Sequence, residues 1–143
     1  MDRLSREDRS RNMARIGSRD TGLELSVRKA LHFSGFRFRL NRKDLPGKPD
    51  IVLPRYRVAV FVHGCFWHGH SCRRGQLPTS NKSFWEKKIE GNRRRDRQAL
   101  ADIDARGWHA KVVWQCTLEK DVADLIALLQ GRKAMPGSIV STR

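Results

Sequence analysis

The stretch YRVAVFVHGCFWHGHSCRR, residues 56–74, contains the pattern that decides the fold. Its first half, YRVAVFVHG (56–64), is apolar at nearly every position, which is typical of a central strand covered on both faces. The whole stretch holds three of the five histidines and two of the three cysteines of the chain, and all of these except His63 lie in its second half. We therefore expect a central strand that runs directly into a cluster of chemically functional side chains.

The segments around this strand alternate between helical and extended patterns. A first helix is predicted from Thr21 to a stop at Gly35, and Glu24 completes a capping box with Thr21. Two further helices are predicted over 83–107, with Ser83 as N-cap, and over 118–131. Further strands are predicted over 36–40, 50–54 and 108–116, with a turn region at 41–50 and an irregular segment at 64–82. The order α-β-β-β-α-β-α predicts an α/β domain with a mixed β-sheet flanked by helices.

The length of 143 residues is that of one domain. We expect a basic N-terminal arm over 1–20, the folded domain over 21–131 and a polar, flexible tail over 132–143. No apolar run approaches the roughly 18 residues of a membrane span, and the first 20 residues lack the apolar core of a secretory signal. The sequence therefore predicts a soluble, cytoplasmic protein.

The charge balance indicates the class of partner. Lys and Arg total 30 against 15 Asp and Glu, a net charge of +15, and the pI is near 11.0. Such an excess is typical of proteins that bind nucleic acid. The segment NRRRDRQ (92–98) concentrates four arginines, which suit phosphate contacts that give affinity without reading sequence.

The cysteines and one histidine have the spacing of a metal site. Cys65, His70 and Cys72 form C-x4-H-x-C, and Cys116 can return to them if strand 108–116 lies beside 56–64. Three thiolates and one imidazole make a closed tetrahedral set suited to structural zinc. The alternative is three buried free thiols that act as small apolar residues. An odd number of cysteines argues against a closed disulfide framework.

Acidic residues and the remaining histidines suggest a hydrolytic site. Asp96 lies seven residues from both Ile89 and Ile103, in the middle of the apolar face of the long helix. A carboxylate there is either functional or part of a buried ion pair with an arginine. Asp50 opens a strand and is by itself an ordinary turn residue. His63 and His68 are not needed to complete the metal set, so carboxylates for a divalent cation and imidazoles for proton transfer form a plausible combination.

Phe66 and Trp67 lie on the loop that the metal would hold. In a basic protein, such aromatic side chains suit stacking on bases or wedging between them, with a small apolar cluster around the metal as the alternative. Trp85 could join either arrangement.

Five blocks together resemble a known family: SRNMARIGSRDTGLE, LPGKPDIV, FVHGCFWHGHSC, FWEKKIEGNRRRDR and GWHAKVVWQC, which span residues 10–116 in order. They are similar to the very short patch repair (Vsr) endonucleases. The resemblance implies a restriction-endonuclease-like PD-(D/E)xK core in which Pro49-Asp50 is the PD and the usual second acid and lysine are replaced by the segment that ends in FVH. It also implies a nick in the T-containing strand, 5′ of the T of a T·G mismatch that arises when 5-methylcytosine deaminates.

The resemblance also assigns roles by position. Asp50 would hold a catalytic Mg²⁺ with the backbone carbonyl of Val62. His68 would be the general base, oriented by Asp96, with His63 near the scissile phosphate. Zinc would be bound by Cys65, His70, Cys72 and Cys116. The residues that would intercalate beside the mismatch are Phe66, Trp67 and Trp85. Glu24 would lie near the active site.

The chain departs from the family pattern at two places. Val62 stands where Thr is common, which matters little if only its backbone carbonyl binds the metal ion. Gly69 replaces a His, and neither metal binding nor catalysis should depend on that position. The implied partners are mismatched double-stranded DNA and mismatch-repair proteins, and the implied state is a monomer in the bacterial cytoplasm, associated with the nucleoid. Two alternatives are a non-catalytic, zinc-stabilised DNA-binding module and a basic RNA-binding or ribosome-associated protein.

Overall fold

A computed structural model describes residues 21–40 and 42–133. The predicted arm at 1–20 lies outside the described residues, as does the tail from 134 onward. Seven elements follow the predicted order: α1 Thr21–Phe33, β1 Arg39–Leu40, β2 Ile51–Leu53, β3 Val58–His63, α2 Lys82–Ala105, β4 His109–Trp114 and α3 Leu118–Lys133. Short 3-10 turns lie at Pro54–Tyr56, Arg73–Gly75 and Gln115–Thr117.

The four strands form one mixed sheet in the order β1-β2-β3-β4. β2 pairs antiparallel with β1 and β3, and β3 pairs parallel with β4 along its whole length. All six residues of β3 are buried, which confirms the prediction of a central strand. The parallel pairing needs a crossover connection, and α2 provides it.

Strand alternation sorts the core residues into two layers. On one face, Val58, Val60 and Val62 pack against the core faces of α1 and α3. On the other face, Ala59 and Phe61 pack against α2 through Ile103. By the same alternation, His63 belongs to the face that α2 covers.

Some predicted boundaries are wrong. The strand predicted over 36–40 is reduced to Arg39–Leu40. Continuing its register, Arg39 with Val52, would bring Arg37 opposite Pro54, which has no N–H to donate to the ladder. The last helix is predicted over 118–131, whereas α3 continues through Lys133.

The prediction of Ser83 as the N-cap of the long helix is also wrong. The backbone N–H of Trp85 donates to the carbonyl of Asn81 at 3.1 Å, so Asn81 accepts the first helical hydrogen bond. Asn81 has φ 56°, and its side chain makes no capping bond. An asparagine tolerates this left-handed conformation better than most residues.

None of the helices in the described ranges is both long and apolar enough to cross a bilayer.

Candidate active site

Two adjacent strands bring an aspartate and a histidine to one end of the sheet. His63 is the last residue of β3, and Asp50 immediately precedes β2. The backbone N–H of Val62 donates to Asp50 Oδ2 at 2.7 Å, and the N–H of Asp50 donates to the carbonyl of Val60 at 3.0 Å. The Asp50 carboxylate is therefore held against the final residues of the central strand.

The loop after β3 folds back over this strand end. The N–H groups of His68 and His70 donate to the carbonyls of Gly64 and Cys65, at 3.2 and 3.0 Å. From α2, the side-chain amide of Asn92 donates to the Trp67 carbonyl at 2.9 Å. These bonds hold His68 above His63 and against the middle of α2.

One carboxylate from α2 meets two histidine rings. The rings of His63 and His68 stack with centroids 3.7 Å apart and planes 3° from parallel. Asp96 Oδ2 lies 2.6 Å from His68 Nδ1, and Asp96 Oδ1 lies 4.0 Å from His63 Nε2. Asp96 therefore faces the sheet, as its position on the apolar face of the helix predicts, but its ion-pair partners are histidines rather than the arginine considered above.

Burial acts on one of the two rings, and a hydrogen bond orients the other. His63 is only 5% exposed, and burial, followed by the positive charge of a protonated His68, lowers its pKa to about 4 despite the nearby carboxylate of Asp96. His63 is therefore neutral at pH 7. His63 Nδ1 is also buried without a hydrogen-bond partner among the described residues. His68 is fixed differently, because its short hydrogen bond to a carboxylate places the ring proton on Nδ1 and leaves Nε2 as the acceptor.

These groups line a cavity of about 400 Å³. Its wall includes His63, His68 and Asp96, and two arginines of α2, Arg93 and Arg97, also line it. Trp114 of β4 lies edge-on to His63, with ring centroids 5.0 Å apart. The arrangement thus offers a positioned proton acceptor beside cationic groups, which suits hydrolysis of an anionic substrate.

The donor atoms of His63, His68 and Asp96 lie within 4.8 Å of one another, and these residue types can hold a metal ion. The stacked geometry favours proton transfer instead. The lone pair of an imidazole nitrogen lies in the ring plane, and the two planes here are nearly parallel, so their lone pairs do not converge on one ion. The Asp50 carboxylate lies outside this three-residue group.

A second group of donor atoms lies farther along the same loop. Cys65, His70, Cys72 and Cys116 bring one donor atom each to within 4.8 Å of the others. Cys116 returns from the turn after β4, as the parallel pairing of β3 and β4 allows, and its Sγ is 3.5 Å from His70 Nδ1. Burial raises the pKa of the Cys65 thiol, and the hydrogen bond to His70 lowers that of Cys72. These four residues could hold a metal ion.

The aromatic residues predicted at the DNA surface form one cluster. Ring centroids are 5.2 Å apart for Phe66 and Trp67, 5.4 Å for Phe66 and Trp85, and 5.7 Å for Trp67 and Trp85, with all three contacts edge-to-face. Phe84 extends the cluster through Trp85 and is 59% exposed. Loop and helix therefore present one shared aromatic surface.

Glu24 is 2% exposed, and its carboxylate accepts a hydrogen bond from Arg28 at 2.8 Å, one turn along α1. It belongs to a partly buried ion pair and is not part of the group formed by His63, His68 and Asp96. The side chain of Thr21 lies outside the described part of the chain, and the predicted capping box depends on it.

Sequence reasoning missed the residues that support the site. Asn92 holds the loop, and the Gln115 side chain accepts a hydrogen bond from the Cys65 N–H at 3.2 Å. Asn92 is four residues before Asp96, so helical spacing could have placed it on the same face. No sequence signal marks Gln115, which is 50 positions from its partner.

A further cavity, of about 630 Å³, lies at the opposite end of β2, around Pro54, Arg55 and Tyr56. Of the described residues that line it, none is acidic or a cysteine. The smaller cavity, by contrast, places the Asp96 carboxylate beside two histidines, so it is the candidate active site.

Comparison with known proteins identifies the family of this chain. The family model for DNA mismatch endonuclease Vsr matches residues 1–74, just over half of the chain. The type II nicking enzyme V.XorIIP of Xanthomonas oryzae pv. oryzae is 54% identical over 129 residues, which cover 90% of this chain and 94% of that enzyme. The nicking enzyme V.NmeAIP of Neisseria meningitidis serogroup A is 49% identical, covering 78% of this chain and 79% of that enzyme. The DNA mismatch endonuclease Vsr of Escherichia coli is 41% identical, with 77% and 70% covered. This chain belongs to the Vsr family of DNA mismatch endonucleases.

Proposed function

We propose that this protein nicks the T-containing strand of duplex DNA 5′ of the T in a T·G mismatch, by Mg²⁺-dependent hydrolysis of a phosphodiester bond. The observation that carries the proposal is the 2.6 Å hydrogen bond between Asp96 and His68 in a cavity that arginines also line. A DNA-binding module would need neither a carboxylate-oriented histidine nor a cavity beside it.

His68 is the general base. The Asp96 carboxylate accepts a hydrogen bond from the Nδ1–H group of His68, so Nε2 is the nitrogen that takes a proton from the attacking water. The oxygen of this water forms a bond to phosphorus while the bond from phosphorus to the leaving oxygen breaks. Asp96 also stabilises the imidazolium that results.

His63 stays neutral during this step, because the pKa of its buried ring is lowered to about 4. It supports His68 by stacking and leaves the proton transfer to that residue. Near the scissile phosphate, a neutral imidazole can donate one hydrogen bond without competing for the proton of the water.

Asp50 and the backbone carbonyl of Val62 would hold the Mg²⁺ ion. Both offer the oxygen ligands that Mg²⁺ prefers, and this ion is often held by only one or two carboxylates with waters in the remaining positions. The 2.7 Å bond from the Val62 N–H fixes the carboxylate beside the same residue. When bound, the cation neutralises charge on the phosphate and polarises its oxygen.

Cys65, His70, Cys72 and Cys116 would hold a structural zinc ion. Tetrahedral zinc with a Zn–S bond of about 2.3 Å and a Zn–N bond of about 2.0 Å separates sulfur from nitrogen by roughly 3.5 Å. The distance from Cys116 Sγ to His70 Nδ1 is 3.5 Å. Four protein ligands close the coordination sphere, so this ion would hold the loop in shape rather than take part in hydrolysis.

Phe66, Trp67 and Trp85 would intercalate beside the mismatch. Their edge-to-face contacts join the loop that carries His68, with Phe66 and Trp67, to the start of α2, with Trp85. Unstacking costs least at a mismatched step, which links recognition of T·G to delivery of the neighbouring phosphate.

We also propose a PD-(D/E)xK core for the domain and a place for Glu24 near the active site. The hairpin β2–β3, followed by the crossover α2 and the parallel strand β4, is compatible with a PD-(D/E)xK core that has Asp50 at its edge. Glu24 would act from α1 near this edge through its ion pair with Arg28.

Asp50→Asn tests the proposal. Wild type should nick the T strand of a duplex with one T·G pair in Mg²⁺ but not in EDTA, and Asp50→Asn should bind this duplex with similar affinity while losing nicking by at least about a hundredfold. The products should be resolved on denaturing gels with each strand labelled, in several flanking sequences.

Asp44→Asn is the matched control. Asp44 is an exposed aspartate of the same loop that pairs with Arg42 rather than with the strand end, so its loss should leave nicking unchanged. Wild-type protein that nicks neither strand, or that nicks a duplex with T·A in place of T·G equally well, would contradict the proposal.

A further inference from the structure

Two arginines of α2 lie beside the histidines without being engaged by the catalytic carboxylate. Arg93 and Arg97 line the cavity together with His68 and Asp96. Positions 93, 96 and 97 are three and four residues apart, so one side of α2 delivers all three side chains. The carboxylate of Asp96 would be expected to form ion pairs with the guanidinium groups of Arg93 and Arg97.

These pairs do not form. Both ion pairs of Asp96 within the described chain are with histidines, at 2.6 and 4.0 Å. Arg93 and Arg97 instead approach Glu90, at 4.0 and 3.4 Å. Their side chains are 51% and 60% exposed, and exposed pairs of this kind contribute little free energy. The positive charge at the cavity wall is therefore available to an anion.

Gly69 explains how Arg93 reaches this position. A Cβ atom on Gly69 would lie 2.6 Å from Arg93 Cδ and 2.6 Å from Ile89 Cγ2, closer than atoms can approach. The aliphatic part of Arg93 therefore lies against the glycine, next to His68 in sequence. Packing of this stem restricts the side chain before any ligand arrives, which lowers the entropic cost of binding.

We propose that Arg93 and Arg97 form an arginine clamp that binds a backbone phosphate of the DNA strand entering the nuclease cavity. The inference rests on the proposed function, and it names two positioning residues for the same reaction. A planar guanidinium can donate two parallel hydrogen bonds to a phosphate, which fixes orientation as well as adding charge. The clamp holds the strand so that the scissile phosphate comes within reach of the water that His68 activates.

The first experiment compares Arg93→Gln and Arg97→Gln with Arg94→Gln. Arg94 is exposed on the same helix and does not line the cavity, so its substitution removes the same charge without touching the clamp. All three variants should lower affinity for the mismatched duplex and reduce the salt dependence of binding by about one counterion. At saturating enzyme in a single turnover, only the two clamp variants should nick more slowly, by roughly tenfold to a hundredfold, the loss of one charge-assisted hydrogen bond.

Arg93→Lys separates charge from geometry. Lysine keeps the charge but donates as a point rather than as a fork. It should restore affinity to near wild type while leaving the single-turnover rate several-fold lower.

The second experiment locates the phosphate. Neutral methylphosphonate linkages are placed one at a time along the T strand, and both duplex affinity and nicking rate are measured with wild type and Arg93→Gln. At one position on the strand, the neutral linkage should lower the duplex affinity or nicking rate of wild type by about tenfold or more. It should have little further effect on Arg93→Gln, because the linkage and the substitution remove the same contact. Thermal melts and metal content of the variants verify that they are folded.

Equal single-turnover rates for Arg93→Gln, Arg97→Gln and Arg94→Gln would overturn the clamp, as would a scan in which the effects of linkage and substitution simply add at every position. If wild type binds the duplex but does not nick it, the proposed function fails, while the affinity scan still decides whether the clamp exists.

Discussion

Asp96 links the two histidines of the candidate site. Its carboxylate is the only acidic group of the described chain that bridges toward both stacked histidines, and it lies opposite the end of the central strand. At 24% side-chain exposure it is partly screened from water, which strengthens its interaction with His68. Loss of this charge should therefore affect chemistry rather than folding.

Asp96→Asn should lower the single-turnover nicking rate by about 10² to 10⁴ while changing duplex affinity only a few-fold. An amide can offer an N–H to His68 Nδ1, which would move the ring proton to Nε2 and remove the base. Rates measured at saturating enzyme and affinities measured in EDTA distinguish the two effects.

Asp104→Asn is the control for that substitution, because Asp104 is exposed near the end of the same helix. Its nicking rate should equal that of wild type. An Asp96→Asn enzyme that retained more than about a tenth of the wild-type rate would exclude an orienting role for Asp96.

At the scale of elements, the loop that carries Asp50 is fitted to α2 by a glycine. Gly47 has φ +76°, and a Cβ atom there would lie 2.3 Å from the Cβ of Ala99. The turn therefore requires glycine for two reasons, its backbone conformation and the close approach of the helix. This contact fixes the distance between the Asp50 strand and the helix that carries Asp96.

Gly47→Ala should destabilise the protein by about 1–3 kcal/mol more than Gly35→Ala, measured by urea unfolding. Gly35 also has positive φ, +85°, but a Cβ atom there would meet no atom within 4 Å, so its substitution reports the conformational cost alone. The difference between the two variants isolates the overlap with α2.

Ala99→Gly supplies the second half of a double-mutant cycle. Removing the Ala99 methyl group should make Gly47→Ala less costly than it is in the wild-type background. Strictly additive effects would show that the loop accommodates the methyl group by moving away from the helix.

At the scale of the whole molecule, the Cys/His cluster joins segments that are far apart in sequence. Cys65 follows β3, whereas Cys116 follows β4, and the parallel pairing of these strands brings them together. A metal bound here would cross-link β3 and β4 at the end where His63 and His68 lie. It would thereby support folding and site geometry together.

Removal of this metal should lower the melting temperature by roughly 5–10 °C, because a ligand present at a hundredfold excess over its Kd stabilises the native state by about 3 kcal/mol. The native protein should contain about one zinc ion per chain. Metal analysis and melting curves, before and after chelation, measure both values.

Cys116→Ala should lose both the metal and this increment of stability. His32→Ala is the control, because His32 is exposed on α1 and lies outside the cluster, so its zinc content should be that of wild type. If Cys116→Ala kept full zinc and the wild-type melting temperature, the four-ligand site would be wrong.

The sequence alone predicted those features of the fold and the site that depend on the spacing of apolar and polar residues within one helix or strand. The apolar run at 58–63 predicted the buried central strand, and the seven-residue spacing around Asp96 predicted that it faces the sheet. Ser83 was wrong as a cap because several nearby residues could accept the first helical bond, and only the backbone path selects Asn81. The short β1 likewise depends on Pro54, which follows its partner strand β2 directly.

The sequence by itself determined the element order, the sheet face to which Asp96 turns and the set of residues able to bind metal, because helical and strand periodicity and ligand chemistry are local properties. Only the tertiary structure decided which groups pair. It joined Asp96 to His68 across 28 positions, brought Cys116 to His70 across 46, and left Arg93 over Gly69 at the cavity wall. Such pairings depend on strand register and on the distance between helix and loop, which are set by packing of the whole core rather than by any one segment.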